Sequence, residues 1–135
     1  MMKNEPISFS PLVDSIVKGM NALKAYDVTV VDLKGIEKAI CDYFVICHGN
    51  TTTQTEAIAR KVHETVEKDL GELPWHNEGF QNATWILLDY VDVVVHVFER
   101  DTRDFYAIEE LWADAEQVRI EDSEKAFQDQ RTSTN

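Results

Sequence analysis

Apolar positions change their spacing several times along the chain, and each change marks an element. After Ser10 and Pro11, the residues Leu12, Val13, Ile16, Val17, Met20 and Leu23 recur at helical intervals, predicting a helix that runs to about Asp27. Val28-Thr29-Val30-Val31-Asp32-Leu33 is short and β-branched, a strand closed by Lys34-Gly35. Asp42-Tyr43-Phe44-Val45-Ile46-Cys47 is a second strand, apolar enough to be buried on both faces. Thr51-Thr52-Thr53-Gln54 matches a capping box, in which the Thr hydroxyl and the Gln amide satisfy opposing backbone groups. The helix it starts carries Ile58, Val62, Val66 and Leu70 on one side and ends at Gly71 and Pro74.

Trp75 to Asn77 suits a short strand, and Trp85–Asp89 and Asp92–Phe98 suit two longer ones joined through Tyr90-Val91, a loop of hairpin length. That loop pairs Asp89 with Asp92, Leu87 with Val94 and Trp85 with His96. Alternation then puts Ile86, Leu88, Val93, Val95 and Val97 on a core face, and Trp85, Leu87, Asp89, Asp92, Val94 and His96 on the other. Asp101-Thr102 can cap a last helix whose stripe of Phe105, Ile108, Trp112 and Ala115 belongs to the core, with Leu111 beside it. Tyr106 and Glu109, at i and i+3, form a smaller patch that suits either a contact or a solvated helix side.

The order of elements predicts one α/β domain over 8–120, a mixed and mostly five-stranded sheet with helices packed on it. The first two strands pair antiparallel, and the long helix allows a right-handed crossover to a parallel neighbour. Residues 121–135 are mostly polar and read as a flexible tail. A length of 135 residues fits this count of one domain.

Charge narrows the partners. Lys and Arg number 13 against 25 Asp and Glu, a formal net charge of −12, so the surface repels phosphate and no sequence-specific nucleic-acid binding is expected. On a nucleoprotein particle such a surface would favour a basic protein component over exposed RNA. The absence of a signal-like or membrane-length apolar run, and two cysteines placed like core residues, lead to the expectation of a cytoplasmic protein.

The mixed face of the hairpin, with one large aromatic, two carboxylates, a histidine and aliphatic groups, has the composition of a contact surface. It equally suits an interior covered by a helix, with Trp85 filling core volume. A contact surface of this kind could also pair two free copies of the chain. Enzymatic readings find less support. The four histidines, His48, His63, His76 and His96, lack zinc-ligand spacing, and no metal or cofactor is expected. Gly49-Asn50-Thr51 before a helix could take a phosphate, and Asp89 with Asp92 could hold magnesium, so a nucleotide-binding or nucleotidyltransferase-like enzyme is the alternative. It lacks a Gly-Ser pair at that turn, an Asp-x-Asp on the neighbouring strand and a nearby Lys or Arg for a triphosphate.

Three longer runs carry a resemblance. Asp42 to Asn50 (DYFVICHGN), Trp85 to Phe98 (WILLDYVDVVVHVF) and Arg103 to Trp112 (RDFYAIEELW), with Glu78-Gly79 between them, are similar in order and spacing to the Iojap family of ribosomal silencing factors. The resemblance covers about Leu12 to Ala115. It implies a nucleotidyltransferase-like fold without the catalytic residues, and binding to the large ribosomal subunit through its ribosomal protein fourteen. It further implies that docking there blocks joining of the two subunits and lowers translation when nutrients are short. Within it, Trp85, Asp89, Asp92, His96, Tyr106 and Glu109 are the expected partner-binding residues. The chain departs from the family at Val91, where Gly is usual, and at His48, where a small residue such as Ser is common.

Overall fold

The computed structural model describes residues 9–120, so the tail expected at 121–135 lies outside the described residues. The elements are α1 (Pro11–Ala22), β1 (Tyr26–Asp32), β2 (Tyr43–Gly49), α2 (Thr52–Leu70), β3 (His76–Glu78), β4 (Trp85–Asp89), β5 (Val93–Glu99), α3 (Arg100–Tyr106), α4 (Ile108–Leu111) and β6 (Glu116–Arg119). They build one mixed sheet of order β3-β4-β5-β2-β1-β6. β2 and β5 pair parallel, and every other neighbouring pair is antiparallel.

Local chemistry accounts for the helix starts. The Ser10 hydroxyl accepts the Val13 N–H at 3.1 Å, ahead of Pro11 in the first turn. Thr51 accepts the Gln54 N–H at 3.0 Å, while the Gln54 side chain reaches one residue further back than expected and accepts the Asn50 N–H at 2.8 Å. Gly71, in the left-handed conformation, ends α2.

α1 and α2 cover one face of the sheet, Val13, Ile16 and Met20 meeting Ile58, Val62 and Val66 over the core-facing valines and leucines of β1, β2, β4 and β5. The two helices approach closely at Gly19, where a Cβ would lie 2.9 Å from the Val62 Cα. The opposite face is covered only in part. Val31, Leu33, Ile46 and Phe98 pack there beneath Ile108 and Ala115, with Ile36, Phe44 and Trp112 at the margin.

Three expectations are corrected. A sixth strand, β6, pairs with β1 at the sheet edge; its Glu116-Gln117-Val118-Arg119 sequence is too polar to signal a strand on its own. The last helix is two short ones, because Ala107 turns left-handed with φ 46° and its N–H closes on the Arg103 carbonyl at 2.8 Å. That break swings Phe105 out of the stripe predicted as core, leaving it 79% exposed and its neighbour Leu111 72% exposed, while Ile108 and Ala115 remain buried.

The third correction concerns the hairpin. Tyr90 N–H donates to the Val93 carbonyl at 2.9 Å, so Val91 and Asp92 form the turn, and Trp85 faces Phe98 while Leu87 faces His96. The later turn lets the Asp89 carboxylate accept the Val91 N–H at 2.8 Å and lets the Asp92 carbonyl accept the Asp42 N–H at 2.8 Å. Each partner moves by two residues, an even shift that leaves every strand side chain on the face read from the sequence.

Val91 sits at φ 75° with its side chain exposed. A β-branched residue there stores strain of about 1–3 kcal/mol, against an entropic cost of about 0.5–1 kcal/mol for glycine. Val91→Gly is therefore expected to raise the unfolding free energy by about 1 kcal/mol in urea titration; an unchanged or lower midpoint would contradict the strain.

Candidate functional site

The sheet register sets which side chains share the partly covered face. Opposed residues form two rows across it: Glu78, Leu87, His96 and Ile46 in one, His76, Asp89, Val94 and Phe44 in the next. α4 and the segment before β2 cover the β1 and β2 end of these rows. Over β3, β4 and the start of β5 the face stays open, with Trp85, Leu87, Asp89 and Val94 all half-buried.

Trp85 stands where the covered and open halves meet. Its ring lies 4.8 Å from that of Phe98 and 4.9 Å from that of Tyr106, which in turn sets its edge against Phe105. Gly79 makes this placement possible: at φ 93°, a Cβ would come within 2.0 Å of the Trp85 carbonyl oxygen. Tyr106 and Phe105 extend the aromatic surface outward, with Asp104 and Glu110 exposed beside them.

The six residues expected to bind a partner divide into three groups. Trp85, Tyr106 and Asp89 share or border the open face. Asp92 lies in the exposed turn beyond it rather than in the strand. His96 and Glu109 are engaged inside the protein.

His96 is 5% exposed, and its Nδ1 accepts the Trp85 indole N–H at 3.1 Å. Its ring is held edge-on to Phe44 at 4.6 Å and stacked on Phe98 at 6.2 Å. Burial pushes its pKa down to about 4. Glu109 binds Arg103 through the Nε, at 2.9 Å, and through Nη2.

Arg103 is the residue of this region that sequence reasoning missed. It is buried, and it also donates to the Asp27 carbonyl at 2.9 Å, to His48 Nδ1 at 3.0 Å and to the Thr29 hydroxyl at 3.4 Å. The Asp27 carbonyl is available because β1 bulges there, Asp27 taking φ 50° where the register with β2 shifts. The only sequence signal was its place at the head of the run Arg103 to Trp112. His48, stacked on Tyr26 at 5.6 Å, has its pKa lowered by burial and then by the Arg103 charge.

The parts of the nucleotide alternative lie apart. At the turn, the Asn50, Gln54 and Thr55 N–H groups are held within the chain by the Gln54 amide oxygen, the Thr51 hydroxyl and the Thr51 carbonyl. Gly49 aligns with Glu99 on β5, whereas Asp89 aligns with Val94, five residues back along that strand. At about 3.3 Å per residue the turn and the carboxylate are about 17 Å apart along the strand direction alone. Among the described residues, no group of three or more His, Cys, Asp or Glu side chains could hold a metal ion, and no helix is long and apolar enough to cross a membrane.

Fold and site together define a small α/β domain whose sheet offers one half-open face, aromatic at its centre and acidic at its rim. A crystal structure of a Bacillus halodurans protein has this fold, with a TM-score of 0.69 at 37% identity over 80% of this chain and 96% of its own. A second, from Chromobacterium violaceum, matches in fold with a TM-score of 0.73 at 24% identity, over 79% of this chain and 88% of its own. Residues 6–135 match the family model described as ribosomal silencing factor during starvation. The ribosomal silencing factor RsfS of Halalkalibacterium halodurans is 39% identical over 85% of this chain and 97% of its own length. That of Bacillus subtilis is 45% identical over 68% of this chain and 76% of its own. The chain belongs to the ribosomal silencing factor family.

Both buried histidines accept hydrogen bonds through Nδ1 and so must stay neutral in the native state. Their native pKa values lie below the ordinary 6.5, so the unfolded chain binds protons that the native one refuses. Stability is then full above about pH 6.5 and falls as pH drops towards 4. For His96 the gap between 6.5 and about 4 amounts to about 3 kcal/mol, at about 1.4 kcal/mol per pH unit. Urea titrations at pH 7 and pH 4.5 should show this loss, and His96→Leu should reduce it; an equal loss in that variant would remove His96 as a source.

Proposed function

We propose that the protein is a cytoplasmic, non-enzymatic silencing factor that docks on the large ribosomal subunit through ribosomal protein fourteen. By occupying that surface it sterically keeps the small subunit from joining, and so represses translation when nutrients are limiting. The observation that carries the reading is the half-open face, where Trp85, Leu87, Val94 and Tyr106 give a contact centre and Asp89 and Asp92 an acidic rim. An aromatic anchor inside a polar rim is the arrangement that concentrates binding energy at protein interfaces.

Family membership supports the ribosomal setting. So does a mouse relative named mitochondrial assembly of ribosomal large subunit protein 1, 29% identical over 74% of this chain and 44% of its own length. The net charge of −12 favours a basic ribosomal protein over bare RNA as the contact. Free copies can hide the same apolar surface against each other, so a homodimer would compete with docking. The mechanism proposed is exclusion of a neighbour, which requires no chemical step.

The double variant Trp85→Ala with Asp92→Lys tests the surface. Binding to isolated large subunits in co-sedimentation should weaken by about tenfold or more, with the circular dichroism spectrum unchanged. Added salt should weaken the parent complex as well. Undiminished binding by the folded double variant would take the hairpin out of the interface, and heat on titrating millimolar nucleoside triphosphate with magnesium would revive the enzymatic alternative.

A further inference from the structure

His96 poses a physical question that folding alone does not answer. It occupies the central strand β5 among Phe44, Phe98, Ile46 and Leu87, a setting in which an aliphatic side chain would pack at lower cost. An indole N–H can only donate, so the Nδ1 that receives it from Trp85 carries no proton, and the ring proton sits on Nε2. That Nε2 is buried and has no hydrogen-bond partner among the described residues. Leaving a buried donor unsatisfied is costly, and the cost is borne for one bond, the one to Trp85.

Trp85 itself is only half-buried, and its N–H could turn to water without that bond. Its two ring neighbours, Phe98 and Tyr106, supply flat contacts that tolerate sliding and rotation. The hydrogen bond to His96 is the directional contact on the indole.

We propose that His96 is a positioning residue for partner docking: by accepting the Trp85 indole N–H it holds the indole in the single orientation that presents its outer edge on the half-open face. This rests on the docking role of Trp85 put forward above. An indole already fixed before the encounter loses less side-chain freedom on binding, which is how a buried group can raise affinity without touching the partner.

Exchange of the Trp85 indole N–H, followed by nuclear magnetic resonance in heavy water and assigned with Trp85→Phe, reads the positioning directly. In the parent it should exchange about tenfold or more slowly than that of exposed Trp75. In His96→Leu, which keeps an apolar filling and removes the unsatisfied Nε2, the fold and melting temperature should persist. The protection should vanish, and affinity for large subunits should fall about twofold to tenfold, the cost of ordering one side chain on binding. His96→Gln, whose side-chain carbonyl can accept the same N–H, should recover part of both.

The proposal is overturned if folded His96→Leu binds like the parent while Trp85→Ala binds weakly. It is also overturned if His96→Leu binds weakly with its indole still protected, since His96 would then act by packing alone. Parent-like binding by Trp85→Ala would instead defeat the docking role of Trp85 itself, whatever the indole exchange shows.

Discussion

The buried Arg103 guanidinium, paired with the half-buried Glu109, is the constraint on which the rest of the site depends. A guanidinium removed from water must have its donors matched, and this one finds Glu109 on α4, a bulge carbonyl and a hydroxyl on β1, and a histidine on β2. Those partners lie on separate elements, so satisfying the charge locks the α3–α4 corner to the sheet. Short helices of 7 and 4 residues would not hold a fixed position by their own hydrogen bonds. Their placement decides which part of the sheet face is covered by Trp112 and Ile108, and where Tyr106 meets Trp85.

A difference in coverage between the two sheet faces follows. The face under α1 and α2 is closed, with Gly19 letting the helices approach to backbone contact. The other is closed over β1 and β2 and open over β3 and β4, so aromatic side chains anchored in the core emerge at its boundary. Trp85 belongs to both halves: its inner edge is tied to His96 and Phe98, and its outer edge faces solvent. The docking surface proposed for this face is rooted in the sheet that carries it.

The sequence announced most of this frame because its signals are local. The helix of α1 follows from Pro11 and the spacing of Val13, Ile16 and Met20, and that of α2 from Thr51 and Gln54. The division of the hairpin into two faces survived a mistaken register because a shift by two preserves alternation. What stayed hidden depends on distant partners. Arg103 looks like any charged helix residue until Asp27 and His48 are brought to it, 76 and 55 positions away in the chain. His96 suits either a contact face or a covered interior until Phe44 and Phe98 are seen to close over it. The left-handed turn at Ala107 carries no compositional mark, and for that reason Phe105 was read as core. Val91 is the exception, where a residue type alone pointed to a strained position that the backbone then adopts.

Hydroxyl-radical footprinting of the protein bound to purified large subunits tests the central claim most directly, because it reads side-chain exposure residue by residue. Leu23, at the end of α1 on the other side of the sheet, is 38% exposed and serves as an internal control. Oxidation of Trp85, Tyr106 and Phe105 should fall on binding while that of Leu23 does not. Protection of the α1 and α2 side, with Trp85 and Tyr106 as reactive as in the free protein, would contradict it.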